Sequence, residues 1–174
     1  SITVGFIFAF PFILWEIWKF ISPALYEKER KYAVSFIIVS SFLFFVGVLF
    51  GYYLIAPLSV QFFASYIVSP EISNSIDIDS YISLMKTSAI ASGLLFELPI
   101  IIFFLTKIGL VTPEFLRKYR KYTLVIVLIV AAIITPPDVL SQIIVTIPIM
   151  ILYEASILIS VLVVRSQERE KLNA

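Results

Sequence analysis

The chain has 174 residues, 60% of them hydrophobic and 14% charged, with a formal net charge of +1 and a mean hydropathy of +1.03. A water-soluble domain carries about 25% charged residues, so this composition is that of a protein solvated by lipid. Cysteine and histidine are both absent, which excludes disulfides, thiol nucleophiles, the usual zinc ligands and the commonest general base.

The first apolar segment covers residues 2–21, with Pro11 inside it and Trp15 and Trp18 near its end. The tryptophans suit a membrane–water interface, and the proline predicts a kink. A secretory signal peptide has a shorter apolar core behind basic residues and ends at a small-residue cleavage site. Residues 1–21 fit none of this, and the natural chain is expected to begin upstream of Ser1. SPALYEKERKY, residues 22–32, is a compact charged loop.

The second segment, 33–56, is apolar throughout and is expected to stop at Pro57. Residues 57–81 are less hydrophobic and include the turn-rich, acidic stretch SPEISNSIDIDS. The third segment, 82–105, contains GLLFELPIII, in which Glu97 stands two residues before Pro99. An ionised side chain at the middle of a span costs about 2.5–3.5 kcal/mol on insertion scales, so an acid kept there calls for a reason. At 100° per residue Ser83, Lys86, Ile90, Gly93 and Glu97 fall near one line, which predicts a partly polar face opened by a small residue. Lys86 and Glu97 lie about 16 Å apart along the axis and cannot pair directly. Glu97 is therefore expected to face a hydrated concavity; the plainer alternative is a protonated acid hydrogen-bonded to a neighbouring helix.

Residues 106–121 form a second basic loop, where VTPEFLRKYRKY predicts a short helix capped by Thr112 with Pro113 at its first position. The fourth segment, 122–134, is too short to cross an unthinned bilayer at 1.5 Å per residue. In the loop that follows, Pro136 and Pro137 force a non-helical turn and Asp138 is placed to cap the next helix. The fifth segment, 143–164, carries Glu154, is expected to break at Pro148, and ends in the polar tail RSQEREKLNA.

Long continuous runs predict helices, not barrel strands of alternating polarity. Five spans put Lys19, Lys28, Arg30 and Lys31 on one side with Lys107, Arg117, Lys118, Arg120, Lys121, Arg165, Arg169 and Lys171. The opposite loops, 57–81 and 135–142, have no Lys or Arg and hold Glu71, Asp77, Asp79 and Asp138. The basic side, with the C-terminus, is thus expected in the cytoplasm. This puts Ser1 outside, and one further upstream span would bring the N-terminus back in, six in all.

FPFILWEIWKFISPALYEKERK at 10–31, FELP at 96–99, TPEFLRKYRKY at 112–122 and TPPDVLSQIIVTIPIMILYE at 135–154 together resemble the TatC family. That family is the multispanning core subunit of the twin-arginine protein translocase. The resemblance implies an all-α polytopic membrane protein with a cupped bundle, five of six transmembrane helices being present here. It implies a receptor and scaffold, not an enzyme, without cofactor or metal, in the bacterial cytoplasmic membrane. Signal peptides with paired arginines, carried by folded cargo, would bind on the cytoplasmic side. The proton-motive force would drive the system as a whole. Glu29 matches the family's acidic recognition residue, with Phe20, Pro23, Leu25, Tyr26 and Arg30 around it. Guanidinium–carboxylate pairing is a fit chemistry for such a site. Pro137, Asp138 and Gln142 match the external loop, and Glu97 matches an intramembrane acid on the concave face. Implied partners are the single-span TatA- and TatB-type subunits, the signal peptides and membrane lipid, with possible homo-oligomers and no nucleic acid. The rival reading is a proton-coupled secondary transporter using Glu97, against which no convincing internal repeat is found.

Overall fold

In hydrocarbon every backbone polar group must find its partner within the protein, and a helix does this within a single segment. The computed structural model describes residues 2–21, 33–65, 78–135 and 138–172, and the regular elements among them are all helical. Helix α1 is Ile2–Ile21, with Pro11 inside it. Helix α2, Ala33–Phe50, runs into a π-helical turn, Gly51–Ile55, and on into α3, Ala56–Ser65.

The expected stop at Pro57 is thus replaced by a continuation. A proline lacks an N–H and crowds the carbonyl four residues back. The wider π turn, in which the Ala56 N–H bonds Gly51 O, comes directly before the ring and loosens the turn into which it must fit.

Helix α4, Ile78–Phe96, and α5, Leu98–Lys107, form one rod interrupted at Glu97. Pro99 sits in the first turn of α5, and the Glu97 N–H reaches back only to Leu94 O at 3.2 Å, a tightened turn. The short α6, Pro113–Lys118, starts as expected: Thr112 is its cap, and its hydroxyl accepts the Phe115 N–H at 3.2 Å. Helix α7, Arg120–Ile134, has 15 residues. Helix α8, Val139–Leu172, passes through Pro148 without ending. Val145 and Ile149 on either side of that proline are fully buried against Ile55, Val127 and Ala131, and this packing carries the helix past it.

Three apolar clusters join these rods in place of one central core. Phe10, Leu14, Phe44, Val48 and Ala89 tie α1, α2 and α4, with the Phe10 and Phe44 rings stacked. The second cluster, just named, ties the π turn, α7 and α8. Ile102, Leu116, Tyr153 and Ile157 tie α5, α6 and α8. Outward-facing side chains such as Phe8, Phe12, Ile133 and Ile147 are left exposed, as a lipid-facing surface requires. Four stretches, Ile2–Phe20, Val34–Phe62, Ile78–Lys107 and Val139–Arg169, are long and apolar enough to cross a membrane.

Candidate functional site

Small residues determine how α2 and α4 meet. A Cβ on Gly47 would lie 2.7 Å from Ser92 O, and one on Gly93 would lie 2.8 Å from the Phe44 ring. A Cβ on Gly51 would fall on the Ser92 hydroxyl and the Ser88 carbonyl. The Ser92 hydroxyl bridges the seam, 2.6 Å from both Gly47 O and Ser88 O. Close backbone approach through small residues, with hydroxyls crossing between helices, is how membrane helices associate when no hydrophobic force separates them from lipid.

Glu97 lies at the end of this seam. Its side chain is only 7% exposed, and its Oε2 accepts a hydrogen bond from the fully buried Ser40 hydroxyl of α2. Its Oε1 is buried with no hydrogen-bond partner among the described residues, as is the Ser41 hydroxyl oxygen. The expected open concavity is therefore closed at this level by an interhelical hydrogen bond. The expected polar stripe also divides: Gly93 and Glu97 are buried, whereas Ser83 and Lys86 are exposed. The division follows α2, whose side chains cover the α4 seam up to the π turn. Ser40 was not singled out from the sequence. Its signal was a serine within the apolar run AVSFIIVSSFLFF, placed by helix pairing and not by spacing.

At the other end of α1, Phe20 is 86% exposed. Two residues earlier, on the opposite face, Trp18 is buried against Phe36 of α2 and Phe104 of α5, with ring centroids 5.0 and 5.9 Å away. This aromatic knot fixes the two helix ends from which segment 22–32 departs. Pro23, Leu25, Tyr26, Glu29 and Arg30 lie outside the described residues, as does Pro137.

Asp138 caps α8. Its Oδ2 accepts the Ser141 N–H at 2.9 Å and the Ser141 hydroxyl at 2.8 Å. The backbone N–H, then the hydroxyl, hold its carboxyl below the usual aspartate value. Gln142 donates from Nε2 to Leu128 O at 2.8 Å, pinning α8 to α7. Glu154, a second acid within an apolar run, is paired with Arg120 at 2.6 Å, and Tyr153 donates to Leu116 O. Among the described residues, no three His, Cys, Asp or Glu side chains gather as a metal-binding group would require. The described polar groups can thus cap, bridge helices and offer hydrogen bonds.

Long apolar rods, lipid-facing side chains and small-residue seams define an all-α, multi-pass membrane protein. The family model for the Sec-independent protein translocase protein TatC matches residues 1–148, and the chain belongs to that family. It is 49% identical over 156 residues to a TatC protein of Blattabacterium sp. subsp. Periplaneta americana, covering 90% of this chain and 59% of that protein. It is 45% identical over 160 residues to TatCy of Bacillus subtilis, covering 92% of this chain and 63% of that one. The chain therefore spans about three fifths of those relatives' length. A crystal structure of the twin arginine translocase receptor TatC in DDM superposes with a TM-score of 0.75 at 39% identity. That match covers 91% of this chain and 70% of the crystallised one.

Proposed function

We propose that this chain is the receptor portion of a twin-arginine translocase core subunit, binding the signal peptides of folded cargo on the cytoplasmic face and scaffolding the translocation site. The observation that carries this reading is the family membership over residues 1–148, taken together with Glu29 in the motif FISPALYEKER. The aromatic knot of Trp18, Phe36 and Phe104 supports it, because it holds rigidly the helix ends that carry that segment. A carboxylate in a motif that also carries aromatic and apolar residues, the exposed Phe20 among them, suits a guanidinium pair followed by an apolar stretch. The protein sits in the bacterial cytoplasmic membrane with its basic loops and C-terminus inside. It acts as a binding scaffold, without catalysing a reaction. TatA- and TatB-type single-span subunits are its partners, and the unpartnered Oε1 of Glu97 is a hydrogen-bond acceptor for one of them once the seam opens.

The test is affinity of the membrane-embedded full-length protein for a signal peptide with paired arginines against the same peptide with paired lysines. Bidentate pairing requires the arginine peptide to bind at least tenfold more tightly. Equal affinity for the two peptides overturns the reading.

A further inference from the structure

A groove of about 430 Å³ opens between α1, the end of α2 with its π turn, and α4. That size is within the range of sites that hold one drug-sized ligand, about 300–1,000 Å³. Its lining is mostly apolar, with four polar members. Ile7, Val48, Leu49 and Ala89 give an apolar floor and walls. Thr3, Tyr52, Tyr53 and Lys86 are the polar members, among Val4, Met85 and Ile82.

By helical rise, Lys86 and the two tyrosines stand toward one side of the bilayer. Lys86 stands roughly 31 Å along the α4–α5 rod from Lys107, one hydrocarbon thickness. Tyr52 stands roughly the same rise from the start of α2. On α1, Thr3 lies on the side away from the half-exposed Trp15. Lys86 and the two tyrosines thus stand near the headgroup layer on the side away from the basic loops, and Ile7 and Leu49 line the same groove within reach of an acyl chain.

Lys86 is the single Lys or Arg between Lys31 and Lys107. It is exposed and makes no hydrogen bond or ion pair with another described residue. Tyr53 is 71% exposed and meets the Tyr52 ring edge to face at 4.9 Å. An ammonium without a described partner and two phenols that line one mostly apolar groove are complementary to a phosphodiester carrying an acyl chain.

We infer that this groove binds one anionic phospholipid of the leaflet opposite the basic loops, its phosphate on Lys86 with the Tyr52 and Tyr53 hydroxyls and an acyl chain along Ile7 and Leu49. The inference needs the chain to be a membrane protein but does not depend on what binds at Glu29. Bulk zwitterionic lipid fits the apolar part equally well, so charge on the headgroup is what the site selects.

Native mass spectrometry of the full-length protein, titrated with phosphatidylglycerol or with phosphatidylcholine of the same acyl chains, reads this directly. The wild-type protein binds its first phosphatidylglycerol about fivefold more tightly than phosphatidylcholine, the factor one lysine supplies near an anionic surface. Lys86→Gln binds the two lipids equally, while Lys86→Arg and Lys121→Gln keep the preference. Ile82→Trp, which fills the groove from its exposed wall, weakens both lipids. A preference that survives in Lys86→Gln overturns the assignment. So does a wild-type protein with no preference, the result expected if another helix occupies the groove, and so does an Ile82→Trp variant that binds both lipids unchanged.

Discussion

Glu97 shows what a carboxyl needs in order to stay inside a bundle. One oxygen is held by Ser40 across the α2 seam and the other has no partner among the described residues. Interhelical hydrogen bonds in membranes average only about 0.6 kcal/mol, with a maximum near 1.7, because the unfolded chain in lipid also finds partners. Ser40→Ala leaves both carboxyl oxygens unpartnered. Thermal unfolding of the detergent-solubilised protein should therefore show a loss toward the upper end of that range, about 1–2 kcal/mol. Glu97→Gln keeps an acceptor for Ser40 and should retain folding and much of the export activity. Glu97→Leu should insert at least as well and yet lose export. Export by Glu97→Leu at the wild-type rate would reduce the acid to packing.

Asp138 was open in the sequence between a cap and a functional group, and the structure shows it capping α8. The Ser141 N–H and hydroxyl hold its carboxyl below the usual aspartate value in the folded protein. A depressed carboxylate value means that the cap's full contribution is present above the unfolded value, near pH 4, and is lost as pH falls through the folded one. Unfolding followed between pH 6 and pH 2 should show wild type above Asp138→Ala at pH 6, the two converging in acid. Asp138→Asn, which still accepts the Ser141 N–H, should show no such step of its own.

At the scale of elements, the glycines of the second helix are the most demanding feature. Gly51→Ala places a methyl on the Ser88 backbone carbonyl, which cannot swing aside as a side-chain end can. The expected cost is about 1–3 kcal/mol of stability, the usual range for overpacking. Gly5→Ala, with nothing within 4 Å of its added Cβ, should be neutral or slightly stabilising. Equal thermal stability for the two variants would show that the α2–α4 seam is not as close as described. The sequence made the apolar runs and the Thr112 cap legible, because period and capping chemistry are local. It did not reveal the passage through Pro57 and Pro148. Those depend on a π turn in one case and on burial of Val145 and Ile149 in the other. Nor does it reveal which part of the Ser83–Glu97 face is buried, for the same reason: which part of α4 is covered depends on where α2 ends, and no helical wheel contains that.

The whole molecule adds a constraint of length. Helix α7, with 15 residues, rises about 22 Å against a hydrocarbon core of about 30 Å, so it needs local thinning or support from α8. Val127 and Ala131 packed on Val145, and Gln142 bonded to Leu128 O, supply that support. The one-sided placement of Lys and Arg sets the expected orientation, with the basic loops in the cytoplasm. With no native cysteine in the chain, single substitutions report it cleanly. A membrane-impermeant thiol reagent added to intact cells should label Ser80→Cys and leave Ser166→Cys unlabelled; the reverse pattern would invert the topology.

The central claim is that the cytoplasmic face receives paired arginines through a carboxylate at position 29. Glu29→Lys in the full-length protein puts a like charge opposite those arginines, and losing one partner of a desolvated charge pair costs about 2–5 kcal/mol. Photo-crosslinking of a twin-arginine signal peptide to membranes carrying Glu29→Lys should fall to background, while Glu27→Lys, two residues away in the same loop, should crosslink nearly as well as wild type. Undiminished crosslinking to Glu29→Lys would contradict the account.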